Sequence, residues 1–388
     1  MYALTHCTLY TDHQILHHQA LVIEGKKILN IVPETQLSSD LPRLDGQGLA
    51  AAPGFIDLQL NGCGGVMFND TPSADTLDTM HRTNLKSGTT SYLPTLITAP
   101  DPAMAAAIDL VQTYRRQHPQ RVLGLHLEGP YLNPSRKGIH NGDYVRPPDA
   151  AMVKRILQAG PEAVRLLTLA PEMVPPEQIR SLAAAGILVS AGHTNASFEQ
   201  ALAGFAAGVG MVTHLFNAMS PWQGRHPGLV GAAFSQPGVY AGIIADGHHV
   251  HYGSIALAHQ IKQDRLILVT DATPPVGTQM ESFTIGGQQV FYRQGKCVSA
   301  DGTLGGAALT MMAAIGNCVQ SVGIPLDEAL RMASLYPARA IHMDHQLGRL
   351  APGYGANVTL FEPTTFTVRG GIDQGTPHGC LRTRNGGV

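Results

Sequence analysis

Val122-Leu123-Gly124-Leu125-His126-Leu127-Glu128-Gly129-Pro130 is an apolar run that ends on a carboxylate and is cut off by Gly-Pro. A strand apolar along its whole length belongs in a parallel sheet with helices on its faces. Seven more runs share this form, at residues 55–61, 89–96, 164–170, 186–193, 211–214, 239–246 and 266–271. Helical patterns separate most of them, as at 73–87, 101–117, 198–207 and 254–263. Eight strand-then-helix repeats are the number that closes a TIM (β/α)8 barrel. An open doubly wound sheet is the competitor, but no Gly-x-Gly-x-x-Gly follows the first run.

Outside the repeats the pattern changes. Residues 19–23 and 27–32 flank Glu24-Gly25-Lys26 as a hairpin would, and the strand-and-turn region breaks at Ala52-Pro53-Gly54. Past the eighth run, 281–298 reads as a short β insertion, followed by helical stretches near 307–322 and 326–340. Strand-like patterning returns at 348–350, 357–360 and 366–368. The expected α/β chain therefore has a barrel at 53–344. Residues 1–52 and 345–388 form one small β-sandwich domain built from both termini.

The bulk composition agrees with an enzyme-sized globular chain. Its 388 residues are 44% hydrophobic and 14% charged, enough to bury a large core. A formal net charge of −2 shows no polybasic surface for nucleic acid or lipid, though it leaves room for a basic pocket. Cys7, Cys63, Cys297, Cys318 and Cys380 are scattered and form no Cys-x-x-Cys pair, so neither a disulfide framework nor a zinc ribbon is expected. The opening Met1-Tyr2-Ala3-Leu4-Thr5-His6 does not read as a signal peptide, and the cytoplasm is the expected location.

In a TIM barrel the chemistry gathers at the C-terminal ends of the strands. Four runs end there in groups that bind metals or move protons: Glu128, His193, His214 and Asp271. A single strand-end histidine is more often structural than a ligand. Four such groups at matching depth around one ring change that balance. Glu128, His193 and His214 supply two imidazoles and a carboxylate, the donor set of an open catalytic zinc site with a position left for water. Asp271 faces the same mouth, where it can take a proton from that water and return it to a leaving amine. The plainer role for Asp271 is a helix N-cap before Ala272-Thr273.

These features resemble the amidohydrolase superfamily and, within it, the N-acetylglucosamine-6-phosphate deacetylases. The resemblance is carried by residues 126–133 (His-Leu-Glu-Gly-Pro-Tyr-Leu-Asn), Lys137-Gly138-Ile139-His140, and Gly192-His193-Thr194. Thr213-His214-Leu215-Phe216-Asn217-Ala218-Met219, Ala245-Asp246-Gly247-His248-His249 and Leu268-Val269-Thr270-Asp271-Ala272 extend it, in order, over about residues 20–360. Many amidohydrolases carry His-x-His after the first strand, where this chain has Gln59-Leu60-Asn61, and amide oxygens are poor donors to zinc. No lysine lies between Lys154 and Lys262 to serve as a bridging ligand. Both departures favour one divalent metal ion, Zn2+, on Glu128, His193 and His214; the resemblance implies that Gln59 meets it only through water, the plainer role being a hydrogen-bonded residue of the barrel mouth.

The resemblance implies further roles. His140 would polarise the amide oxygen, with Ile139 beside it on the sugar. Asn217 and Ala218 would offer backbone amides to a phosphate, joined by His249 and by Arg225 from the neighbouring subunit of a homodimer. Leu304, Gly305, Gly306 and Ala307 would contact the sugar, although they also read as a turn and helix start. His248 and His251 are bystanders, and His126 is a core or supporting histidine beneath the metal. The implied reaction releases acetate from an N-acetylated amino-sugar 6-phosphate. The galactosamine epimer, a cyclic-amidase substrate, and a metal-free sugar-phosphate sensor are the rival readings.

Overall fold

The computed structural model describes residues 1–384, so the last four positions of the expected small domain, 385–388, lie outside the described residues. Eight parallel strands form a single sheet in chain order: Phe55–Leu60, Thr89–Ile97, Leu125–Glu128, Val164–Leu169, Leu188–Ala191, Val209–Val212, Tyr240–Ile243 and Leu266–Leu268. The sheet is closed by a parallel bridge from Leu60 to Ala272, with Asp271 N–H donating to the Gln59 carbonyl at 3.0 Å. Every residue of the first, second and fourth strands is buried, as a sheet lined with side chains inside and helices outside requires.

Six of the eight strands are shorter than the corresponding runs. Gly124 takes φ +139°, and a Cβ there would meet Arg165 Cβ at 2.6 Å, so the third strand begins only at Leu125. The sixth strand starts earlier than expected, at Val209, directly after Gly208 caps the preceding helix in the left-handed region. That helix, Phe198–Ala207, opens with a capping box in which Ser197 and Gln200 satisfy each other's backbone N–H groups.

The post-barrel region departs most from expectation. The β insertion has four antiparallel strands, Ser282–Ile285, Gln288–Arg293, Lys296–Ser299 and Leu304–Ala307. Leu304–Ala307 is therefore a strand and not a turn or helix start. The helix expected from 307 begins at Met311, because the Thr310 side chain caps it by accepting from Ala313 N–H. The helix expected over 326–340 is two helices, Leu326–Met332 and Leu335–Ala340. Ser334 leaves helical geometry between them (φ −134°, ψ −69°), Pro337 has no N–H for the Ala333 carbonyl, and that carbonyl instead accepts from Ile56 N–H at 2.8 Å.

Strands from both termini make two sheets around one apolar core. One contains Tyr2–Thr5, Gln19–Glu24, Lys27–Pro33, Arg43–Asp45 and Arg382–Arg384. The other contains Thr8–Tyr10, Ile15–Leu16, Ala50–Pro53, Val358–Glu362, Thr367–Asp373 and Thr376–Gly379. Leu4, Leu21, Ile23, Ile28, Leu360 and Ile372 are buried between them. The predicted hairpin is present, with Gly25 at φ +54° in its turn.

Candidate active site

Three of the four strand-end groups lie where the backbone leaves the strand in the left-handed region. His193, His214 and Asp271 all take positive φ, at 48°, 30° and 51°. Non-glycine residues in this region cost roughly 1 kcal/mol or more each and concentrate at functional sites. Glu128 ends the third strand itself and is followed by Gly129 at φ +87°. The four side chains line one cavity of about 430 Å³.

Three donor atoms converge tightly in it. Glu128 Oε1 lies 3.1 Å from His193 Nε2 and 3.0 Å from His214 Nε2, and the two Nε2 atoms are 3.1 Å apart. Ligands held by one tetrahedral cation at about 2.0–2.1 Å stand about 3.3 Å apart, so this triangle has the right size. Its protonation fits as well. His193 Nδ1 is 2.9 Å from the Arg136 carbonyl, which can only accept. Nδ1 therefore donates to that carbonyl, and Nε2 is the ring atom that faces Glu128 and His214. One carboxylate oxygen and two imidazole nitrogens converging in a buried site are the donor set that a divalent cation takes. His140 offers a third imidazole, its donor atom within 4.8 Å of those of Glu128 and His193, but it stands outside the tight triangle.

Burial alone would raise the Glu128 carboxyl, but hydrogen bonds to His193 and His214 outweigh it and hold it well below the usual range. For His214 burial lowers the imidazole, while the bond and charge of Glu128 prevail and raise it. Burial, reinforced by the charge of Glu128, pushes Asp271 up to about 6. That places it near neutrality, where a carboxylate can both take and give a proton. Its Oδ1 accepts from Asn61 Nδ2 at 2.6 Å and from Gln59 Nε2 at 3.2 Å.

His140 is fully enclosed, and burial together with the nearby His193 keeps it well below the usual imidazole range, hence neutral. Thr98 N–H points at its Nδ1 from 3.4 Å and the Thr98 hydroxyl lies 2.8 Å away. A backbone N–H can only donate, so Nδ1 accepts and the ring proton sits on Nε2. His249 is oriented by Asp246, whose Oδ2 lies 2.6 Å from Nδ1. Burial would raise Asp246, but its bonds from His249 overcome this and keep it ionised.

The structure brings Ile139, His140, Asn217, Ala218, His249, Leu304 and Gly306 to the same cavity as Glu128, His193, His214 and Asp271. It does not bring Gly305 or Ala307 there. Strand alternation turns them away, Gly305 against Val290 and Ile139, and Ala307 into a backbone bond with the Asp271 carbonyl. Gln59 lies just beneath the cavity wall, its amide nitrogen also donating to Glu128 Oε1 at 3.2 Å. Arg225 is exposed and lines a separate hollow with Arg136, Asn195 and His226 instead of its own chain's mouth. His126 is a core histidine, bonded to Thr95 and Thr168 and brought down to about 4 by burial. His251 caps the helix Tyr252–Lys262.

Sequence reasoning passed over Asn61, Ser135 and Arg136 and the insertion residues Ile285, Gly302 and Thr303, all of which line the cavity. Asn61 was legible: it stands two residues after Gln59, on the same side of a strand. The insertion residues carried no signal, since only the folded hairpins bring them over the mouth.

The amidohydrolase family profile matches residues 50–379, and the profile of a NagA composite domain matches residues 1–50. The N-acetylglucosamine-6-phosphate deacetylase of Haemophilus influenzae is 44% identical, over 96% of this chain and 98% of its own length. An N-acetylgalactosamine-6-phosphate deacetylase of Shewanella is 40% identical over 89% of this chain and 88% of its own. The crystal structure of the Pasteurella multocida N-acetylglucosamine-6-phosphate deacetylase superposes with a TM-score of 0.95 at 45% identity, covering 97% of this chain and 99% of that one.

Proposed function

We propose, from the premise that this chain belongs to the amidohydrolase family, that it is a hydrolase of the N-acetyl group of N-acetyl-D-glucosamine 6-phosphate. The products are acetate and D-glucosamine 6-phosphate. The observation that carries this reading is the Glu128–His193–His214 triangle with Asp271 at the same cavity wall.

Glu128, His193 and His214 would hold one divalent cation, and zinc matches their donor set best, with Gln59 contributing only through water. Bound there, the ion supplies Lewis acidity, polarising the amide carbonyl and making water a better nucleophile at neutral pH. The chain's own groups account for the rest. Asp271 takes a proton from the attacking water as its oxygen bonds to the carbonyl carbon. His140 donates its Nε2 proton as a hydrogen bond to the oxygen that gains charge. Asp271 then gives its proton to the nitrogen as the C–N bond breaks, releasing the amine and acetate.

His249 and the backbone amides of Asn217 and Ala218 are assigned to the phosphate, and Ile139, Leu304 and Gly306 to the sugar. Arg225 is assigned to the phosphate of a neighbouring subunit in a homodimer. Its exposure outside its own mouth supports this, as does the exposed Trp222 on the same loop, an uncommon side chain to leave in water. Among the described residues no helix is long and apolar enough to cross a membrane, and the cytoplasm is the proposed location.

Asp271→Asn tests the core of the reading. The variant is expected to keep one metal ion per subunit and to lose kcat by about 1000-fold or more. Near-normal turnover would remove Asp271 from the mechanism. The galactosamine epimer is the second reading, favoured by the Shewanella relative. Comparing kcat/KM on the two acetylated sugar phosphates decides between them, a higher value on the glucosamine form being expected.

A further inference from the structure

Gln59 and Asn61 stand two apart at the end of the first barrel strand, so both side chains reach the mouth side. As metal donors they are poor, yet both are buried, at 2% and 1% exposure. Their amide nitrogens converge on one atom, Asp271 Oδ1, at 3.2 Å and 2.6 Å. Asn61 makes the shorter contact, and its orientation is forced. The reversed amide would set an oxygen 2.6 Å from a carboxylate oxygen, two acceptors in contact. The main chain reinforces this, since Asp271 N–H bonds to the Gln59 carbonyl and Asn61 N–H to the Ala272 carbonyl, each at 3.0 Å. Among the described residues none donates to Asp271 Oδ2.

We propose that Asn61 is a positioning residue that makes Oδ2 of Asp271 the oxygen that carries the proton. This deepens the hydrolase reading above and rests on it. A carboxylate free to rotate presents either oxygen, and in either direction. With two N–H donors on Oδ1, rotation breaks both bonds and the lone pairs of Oδ1 are occupied. Oδ2 is left as the more basic oxygen and stays directed at the reacting water and, later, at the departing nitrogen. The amides thus serve the chemistry as hydrogen-bond donors to the base, not as ligands to the cation.

The test uses the full chain loaded with metal. Asn61→Leu keeps the side-chain volume and removes the donor. The expected result is a drop in kcat of about 10- to 100-fold, the range for losing a hydrogen bond to a charged group. KM is expected to stay within about threefold, metal content at one ion per subunit, and the urea midpoint near that of wild type. Asn61→Asp, which places a second carboxylate against Asp271, should lose more. In the Asp271→Asn background Asn61→Leu should cause no further loss, since Asn61 acts only through that carboxylate. Should Asn61→Leu fail to fold, Asn61→Ala takes its place in every arm. An unchanged kcat, a loss confined to KM, loss of the metal, or additive losses in the double variant would each overturn the proposal. A normal kcat for Asp271→Asn alone would instead overturn the parent assignment, and so keeps the two failures apart.

Discussion

At the barrel mouth Glu128 faces His193 and His214, while toward the opposite end, where Arg121 leads into the third strand, Asp373 faces His81. Both clusters are buried, and both are built from imidazoles and a carboxylate. Near the floor, His81 Nε2 donates to Asp373 Oδ2 at 2.9 Å, Arg121 adds a guanidinium at 3.4 Å, and His81 stacks on Tyr92. There the Asp373 carboxylate sits between an imidazole N–H and a guanidinium, each within reach of the same oxygen, Oδ2. At the mouth three potential ligand atoms meet at one point instead. His193 Nδ1 donates to the Arg136 carbonyl, and one carboxylate oxygen and two imidazole Nε2 atoms lie within 3.1 Å of one another. The same side chains thus make a joint in one place and a cation receptor in the other, and the convergence of three ligand atoms is what separates them.

The contrast is broken most severely through the mouth. Glu128→Ala is expected to abolish metal binding and lower kcat by at least about 1000-fold, checked by metal analysis and acetate release on the same preparation. Retained metal with retained turnover would make the mouth no more than a second joint. A mutation near the floor should do the reverse. Asp373→Ala removes the carboxylate that ties the helix Ala74–Leu85 to the terminal domain. It should cost about 3 kcal/mol of stability in urea denaturation and leave kcat within twofold. An unaltered midpoint would show that the pair is idle.

The smallest effect is one of pH. Burial would raise Asp373, but the bond from His81 and the charge of Arg121 outweigh it and hold its carboxyl below the ordinary value. A carboxyl depressed in the fold contributes fully above its unfolded value of about 3.9 and loses that contribution as pH falls through the folded one. The stability gap between wild type and Asp373→Ala should therefore narrow below about pH 4. A gap that stays constant down to pH 3 would mean that the carboxylate does no electrostatic work there.

Much of this was legible in the chain. The barrel could be read because eight strand-like runs, such as 164–170 and 239–246, recur with helical patterns between most of them. The metal triad could be read because strand ends are the one place in such a barrel where polar side chains converge. Other features were hidden. Nothing local marks the left-handed backbone of His193, His214 and Asp271, since contacts across the barrel impose it. The strand Leu304–Ala307 looks like a glycine turn until Ala272 and Lys296 pair with it. The split of 326–340 into two helices, by contrast, had a local signal in Pro337, which cannot donate to the Ala333 carbonyl.

The shared terminal domain bears on how the protein is made. Tyr2 donates its hydroxyl to the Gly375 carbonyl across 373 positions, and Ala50–Pro53 pairs with Val358–Glu362. At roughly 5–20 residues per second on the ribosome, partners so far apart emerge about 20–75 seconds apart. Arg43–Asp45 and Ala50–Pro53, whose outer partners are Arg382–Arg384 and Val358–Glu362, therefore spend nearly the whole of translation with an unfilled edge. They are the segment most in need of a chaperone, and a ribosome stalled short of residue 358 would strand them without partners.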